Sequence, residues 1–379
     1  MHALRSSPCF SASELSEIDG QLRSCLSQSF NVCLSDSQWL QASLPVKNGG
    51  LGIRSTVQLA PSAFLASANA TSLLQKKILS HCPMEGDTDT HVSKAEKVWQ
   101  SFTNATAPAG SAASRQKSWD DPVVISSYQK LLTDNWAAHD RARILAVSAP
   151  KSSDWLHALP ISSCGLRLDD ETVRVAIGLR LGAKLCEPHK CICGEEVDPL
   201  GHHGLSCKRS SGRSSRHLNL NDIIWRALAR ADIPAVKEPA GLSRSDGKRP
   251  DGLTQIPWSL GKCLIWDVTV VDSVAKSYLD STSISAGAAA EIAALRKTEK
   301  YCHLAERYTF VPIAVETLGP LCQEGSAFLS QLGRLISSAT GDSREQSFLM
   351  QRISIAIQRF NAVCFRGTFD PASSCFTTI

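Results

Sequence analysis

The sequence has no apolar run approaching the ~18 residues that a membrane span needs, and its opening MHALRSSPCF has no secretory hydrophobic core. Both absences argue against a membrane-spanning or secreted chain. There is no large excess of either charge, since 40 Lys and Arg against 36 Asp and Glu leave a net charge of +4. No internal repeat is found. Gly49-Gly50-Leu51-Gly52 lacks both full phosphate-loop spacing and a Lys-Ser/Thr, which argues against nucleotide binding there. What remains is a globular composition, 379 residues with 43% apolar and 20% charged, with room for two or three domains.

Two local concentrations stand out against that average. Between Lys208 and Pro250, ten basic residues face four acids, a surplus of six on a chain whose net charge is only +4. A basic patch on a near-neutral chain points to a polyanion partner, with Lys208, Arg209, Arg213, Arg216, Lys248 and Arg249 as candidate phosphate contacts. The second concentration is cysteine. Of 14, four fall within Cys186 to Cys207 beside three histidines, and the rest are scattered singly. Without a signal peptide this reads as metal ligation rather than a disulfide framework.

Hydrophobic periodicity suggests the organisation. Ser11 and Glu14 form an expected capping box ahead of Leu15, Ile18, Leu22 and Leu26, and Thr56 is the expected cap of a second helix. Residues 1–80 thus read as helical. Residues 81–123, rich in Ser, Thr, Ala, Pro and Gly around APAGSAAS, read as a flexible linker. A helical connector is expected over 124–185, with helical pattern from Val124 to Val147 and a smaller element from Val173 to Leu185, and a cysteine knuckle with its basic flank over 186–215. In 216–341, an amphipathic helix (His217–Ala231), a buried strand CLIWDVTVV (263–271), a long helix (Ala286–Glu306) and a strand TFVPIAVET (309–317) argue for an α/β domain. A C-terminal helix and tail fill 342–379.

In CEPHKCICGEEVDPLGHHGLSC, Cys191 and Cys193 precede Gly194, whose turn can bring both sulfurs onto one ion. His202 and Cys207 complete a Cys₃His tetrahedron suited to Zn²⁺. His203 can replace its neighbour His202, and Cys186 and His189 are spare candidates. A site saturated with four protein ligands is structural. A second constellation is DGKRPDGL, CLIWDVTVV and LRKTEKY. Asp251 sits in an Arg-Pro-Asp turn, and Asp267 lies within the buried strand, where an unpaired carboxylate is costly. Alternation puts Asp267 and Thr269 on one face, Trp266 and Val268 on the other. Two converging carboxylates suit Mg²⁺ or Mn²⁺. Lys297 and Lys300, at i and i+3 beside Ala290 and Ala293, are expected to aim their ammonium groups at Asp267. The bland alternative pairs Asp267 with a structural Arg and leaves the lysines as a solvated stripe. Glu238 reads as a solvated turn residue, Glu316 as an ion-pair partner, and the Trp residues as core, with Trp258 and Trp266 as candidate stacking exceptions.

Taken together, the C-x-C-G…HHGLSC text, the RPD turn, the WDVTVV strand and the K-x-x-KY helix resemble the tail of polyproteins from non-LTR retrotransposons. Those elements carry a reverse transcriptase, a cysteine–histidine knuckle and a PD-(D/E)XK-type restriction-like endonuclease, in that order. The resemblance covers residues from about 180 to 320. It implies a restriction-endonuclease-like α/β core, a mixed central sheet with flanking helices, behind a zinc knuckle and a mainly helical N-terminal region. It favours His202, from the H-x4-C ending. It also implies Asp251 and Asp267 as ligands of catalytic Mg²⁺ or Mn²⁺, Lys297 as the displaced catalytic lysine, and Lys300 and Tyr301 as the rest of that motif. Thr269 stands where a standard nuclease strand carries its lysine.

Residues 1–80 resemble the stretch after a polymerase palm, and the palm itself is missing. The Asp-Asp pairs, Asp120-Asp121 and Asp169-Asp170, lack tight apolar flanks, so no polymerase activity is expected. The resemblance therefore implies a truncated copy, a downstream product or a partial gene. Its activity would be nicking of DNA to leave a 3′-hydroxyl for target-primed reverse transcription. Expected partners are DNA, element RNA and the reverse transcriptase portion of a related element, in the nucleus. The alternatives are a catalytically inactive zinc-dependent nucleic-acid-binding remnant and a zinc-stabilised protein-interaction domain.

Overall fold

The computed structural model describes residues 1–80, 88–134, 137–243 and 247–369. The chain forms two compact units that divide between Asn135 and Trp136.

The first unit is helical: α1 (His2–Ser6), α2 (Ser13–Phe30), α3 (Asp36–Ser43), α4 (Thr56–Leu79), α5 (Thr88–Phe102) and α6 (Gln116–Thr133). Its core joins Leu15, Leu59, Ala63, Ala95, Trp99, Trp119 and Val123. The linker expected over 81–123 is therefore corrected: from Thr88 onward most of it is helix and core, while 81–87 lie outside the described residues. Trp99 and Trp119 meet edge to face at 5.1 Å. Each indole N–H is satisfied, Trp99 Nε1 donating to the Trp119 carbonyl (2.7 Å) and Trp119 Nε1 to that of Ala113 (2.8 Å). The stripe of Val92, Ala95, Trp99 and Phe102 outweighs the loop-like composition around it. Two caps also differ from expectation. Ala12 precedes α2 without a side-chain cap, and the capping box forms instead at α3, between Ser35 and Gln38. Ser55, not Thr56, caps α4, because the Thr56 hydroxyl donates to Leu15 O and Asp19 Oδ1.

The second unit begins with α7 (Ala138–Ser148) and α8 (Asp170–Leu181), so the helical pattern expected over 124–147 is shared between α6 and α7, one in each unit. There follow a two-stranded hairpin, β1 (His189–Lys190) and β2 (Glu196–Val197), then α9 (His202–Ser206) and α10 (Ser211–Arg230). Next come β3 (Ala235–Lys237), β4 (Gly252–Ser259), β5 (Lys262–Val271), α11 (Leu279–Thr282), α12 (Ala288–Tyr301), β6 (Tyr308–Glu316), α13 (Gln323–Thr340) and α14 (Glu345–Arg366). The main sheet is mixed, in the order β3-β4-β5-β6. Strands β3, β4 and β5 run antiparallel, while β5 and β6 are parallel with Asp267 opposite Pro312. A parallel pair needs a long crossover, and α12 lies in it. One sheet face buries Leu264, Trp266, Val268, Ile313 and Val315 against α10, α13 and α14. On the other, Ala290, Ala293 and Ala294 of α12 pack on Ala314. The period of two thus separates Trp266 and Val268 from Asp267, as the alternation predicts.

Helix α14 is not an appended tail. Leu349, Ile353 and Ile357 belong to the same core as Trp266, so a boundary at 341 cuts through one packed unit. Trp266 is fully buried and donates to Asn221 Oδ1 at 2.8 Å; Trp258 is half-buried against Phe328 at 5.3 Å. Both indoles serve the fold rather than a base-stacking platform. Glu316 forms no ion pair among the described residues. Its Oε1 accepts from Ala289 N (3.0 Å) and Ala290 N (3.2 Å), capping α12, and burial raises its carboxyl above the ordinary value. No helix among the described residues is long and apolar enough to cross a membrane.

Candidate metal centre and acidic site

The hairpin and α9 build the first site. Cys191 N donates to Glu195 O (2.9 Å) and Gly194 N to Cys191 O (2.8 Å), closing a tight turn. Gly194 takes φ +94°, a left-handed conformation that favours glycine. That turn presents Cys191 and Cys193, while α9 carries His203 and ends on Cys207. The ligand atoms of Cys191, Cys193, His203 and Cys207 all lie within 4.8 Å of one another, a group that can hold a metal ion and is compatible with zinc. Cys191 Sγ and Cys207 Sγ are 3.7 Å apart, and Cys193 Sγ lies 3.2 Å from His203 Nε2. Tetrahedral Zn²⁺ with its usual bond lengths spaces two sulfurs by about 3.8 Å. The donor set and its spacing therefore fit.

The histidine choice needs correcting. His202 turns the other way, its ring 6.1 Å from that of His139, and burial pushes its imidazole down to about 4. Successive helical residues point about 100° apart, so only one of the pair can face the sulfurs. The spare candidates are engaged elsewhere. Cys186 Sγ approaches Asp198 O at 3.5 Å, and His189 bridges Glu187 O (3.0 Å) and Thr368 Oγ1 (2.9 Å). Burial raises the Cys191 thiol to about 11, whereas the Glu195 amide holds Cys193 below its ordinary value. Ligation needs thiolates, so metal binding here releases protons.

The second site gathers residues from α10, β5, α12 and the turn before β4. Asp267, 3% exposed, is paired with Lys297 through Oδ1. Burial raises its carboxyl, the Asp251 charge adds to that, and Lys297 and the Tyr301 hydroxyl oppose it. Asp251 is drawn against the same strand, its N–H donating to Trp266 O (2.9 Å) and its Oδ2 accepting from Val268 N (2.6 Å). Gly252 permits this approach, because a Cβ there would lie 1.9 Å from Trp266 Cζ2. Lys297, rather than both lysines, is thus brought onto Asp267. Lys300 Nζ reaches the Tyr301 hydroxyl (2.7 Å), which itself donates to Arg249 O (2.8 Å) and fixes the RPD turn to α12.

Sequence reasoning missed His217, whose Nε2 lies 3.0 Å from Asp251 Oδ2. That hydrogen bond raises its imidazole above the ordinary value, against burial, with help from the charges of Asp251 and Asp267. Helical spacing set His217 and Asn221 on one face, but the partner lies 34 residues away and no local signal names it.

The basic residues divide. Lys208, Arg209 and Arg213 are exposed beside the knuckle, Arg209 donating to Ile192 O (3.1 Å) and Arg213 to Ser206 O (3.3 Å). Lys248 and Arg249 are exposed in the RPD loop, Arg249 paired with Glu238. Arg216 is corrected. It is 1% exposed and donates to Asn361 Oδ1 (2.8 Å) and Leu205 O (3.2 Å), so it ties α9 and α14 to α10 instead of meeting phosphate. Comparison of the chain with protein-family models and with curated proteins gives no match.

Proposed function

We propose that the second unit is a metal-dependent DNA endonuclease module of a retrotransposon-derived protein, with no polymerase activity in this chain. The observation that carries the reading is the convergence of Asp251, Asp267 and Lys297 at one place on a mixed sheet flanked by helices. Each comes from a different segment, and the sequence-level resemblance pairs these same three residues. A structural ion pair needs only two of them.

Asp251 and Asp267 would hold Mg²⁺ or Mn²⁺, since an all-oxygen carboxylate pair suits a hard ion that keeps several waters. Such an ion supplies charge neutralisation at phosphorus and an acidic water. Lys297 would orient the attacking water from Asp267 Oδ1 and hold or return its proton, leaving a 5′-phosphate and a 3′-hydroxyl. Exposed Lys208, Arg209, Arg213, Lys248 and Arg249 would bind the phosphate backbone, with the knuckle as the rigid mount for the first three. A chromosomal substrate would place the protein in the nucleus, where the 3′-hydroxyl primes reverse transcription by a related element.

One observation favours a second reading, an inactive nucleic-acid-binding remnant. Each carboxylate already has a partner able to carry positive charge, Lys297 for Asp267 and His217 for Asp251. Incubation with supercoiled plasmid and Mg²⁺ or Mn²⁺ separates the two. Nicking by the wild type, abolished by EDTA and in Asp251→Ala and Asp267→Ala variants that still bind DNA, is expected. Salt-sensitive binding by a zinc-loaded, folded protein without nicking overturns the nuclease and leaves the remnant.

A further inference from the structure

We infer that α10 supplies a positioning residue for this site: His217, acting with Asn221 one turn later, holds the Asp251 carboxylate in the orientation that a divalent cation requires. The inference rests on the nuclease reading above and deepens it.

The main chain of Asp251 is bonded on both sides, Asp251 N donating to Trp266 O (2.9 Å) and Glu238 N to Asp251 O (2.9 Å), which leaves its side chain to be fixed. Here α10 grips it twice. His217 Nε2 meets Asp251 Oδ2 at 3.0 Å, and Asn221 Nδ2 donates to the Asp251 carbonyl at 3.3 Å. Positions i and i+4 share a helical face, which is why one helix can hold both the side chain and the main chain of the same residue. Asn221 is itself buried and held, since its Oδ1 accepts from Trp266 Nε1 at 2.8 Å. Trp266 precedes Asp267 on β5, so the two carboxylates are referenced to one strand, Asp267 as part of it and Asp251 through its own bonds to Trp266 O and Val268 N and through the Asn221 link.

The helix holding Asp251 is rigid at that point. The adjacent Arg216 and the following Leu220 and Ile224 are each 1% exposed, and Arg216 is tied to α14 and α9. The backbone of His217 is thus carried by a packed helix, which presents the imidazole to Asp251 from a buried base. Val268 N also donates to Oδ2, at 2.6 Å, so two fixed donors converge on one oxygen and set the plane of the group. Outer donors of this kind fix the orientation of a ligating carboxylate, and their removal commonly costs about ten- to a hundredfold in metal affinity. His217 is exposed enough to be replaced without opening the core, its side chain being 35% accessible.

The test is Mn²⁺ binding by the zinc-loaded full chain without DNA, at one fixed pH, followed by the electron paramagnetic resonance signal of free Mn²⁺. Wild type, Asp251→Asn, His217→Leu and His217→Gln are compared, each checked for zinc content and melting temperature. Leucine removes the donor at similar volume, and glutamine offers an amide N–H in place of Nε2. The expected result is a site abolished in Asp251→Asn, weakened about ten- to a hundredfold in His217→Leu, and largely restored in His217→Gln. A His217→Leu protein that binds Mn²⁺ as tightly as wild type, while Asp251→Asn does not bind, overturns the positioning role and leaves the nuclease reading standing. Equal binding by wild type and Asp251→Asn overturns the nuclease reading itself. If His217→Leu fails to fold, His217→Ala takes its place, and wild-type affinity in that variant overturns the inference equally.

Discussion

Replacing Lys297 by Met should destabilise the second unit by about 2–3 kcal/mol at pH 7.5, whereas Asp267→Asn should cost less than about 1 kcal/mol or stabilise. Removing one partner of a buried ion pair typically costs roughly 3–5 kcal/mol, because the other charge is left uncompensated. The lower figure applies here because the Lys297 side chain is 24% accessible, so water reaches that side of the pair. Asp267→Asn acts oppositely: it removes a carboxylate that is 3% exposed and repelled by Asp251, and the lysine it frees can turn its ammonium to solvent.

Hydrogen-exchange protection of a peptide covering β5 reads this out, and a destabilisation of about 2–3 kcal/mol corresponds to about 30- to 150-fold faster exchange. The pH dependence gives a second check. The carboxyl of Asp267 is raised in the folded state, so folding retains its proton at pH values where the unfolded chain has released it. Stability therefore falls as pH rises from the ordinary carboxylate value through the raised one. Without Lys297 the raising is larger, so the Lys297→Met deficit should shrink between pH 7.5 and pH 5. A deficit that is absent at pH 7.5, or that grows on acidification, refutes the description of Asp267 as a buried charge held by Lys297. The double variant Lys297→Met/Asp267→Asn should recover most of the stability.

Four further outcomes are expected. His203→Ala and Cys207→Ser should release bound zinc on metal analysis while His202→Ala keeps it; zinc retention should also weaken as pH falls, because protons compete for the thiolates. Alanine at Lys208, Arg209 and Arg213 should each lower the salt dependence of DNA affinity, by about 0.9 in the log–log slope for every phosphate no longer neutralised, with an unchanged melting temperature. Arg216→Ala should instead cost about 2–5 kcal/mol of stability, since buried Asn361 Oδ1 and Leu205 O are left without their donor. Trp99→Ala should destabilise the first unit by about 3–5 kcal/mol and open residues 88–102 to proteolysis, whereas in a linker it would change neither.

The sequence alone determined the features that depend on short spacing. The C-x-C-G turn, the β-branched run around Asp267 and the alanine stripe ahead of Lys297 each announce a local geometry, and the structure keeps all three. Composition misled where a sparse apolar stripe was diluted by small polar residues, as at Val92 to Phe102. Tertiary structure decided the rest. Which of two adjacent histidines faces the sulfurs depends on the rotation of a five-residue helix against a hairpin. Whether Arg216 meets solvent or Asn361 depends on where α14 packs, 145 residues away. His217 enters the acidic site only because Gly252 lets β4 approach Trp266, bringing the RPD turn beneath α10. Periodicity fixes which residues share a face, but only the packing of that face fixes what it meets, and charged side chains take their roles from what they meet.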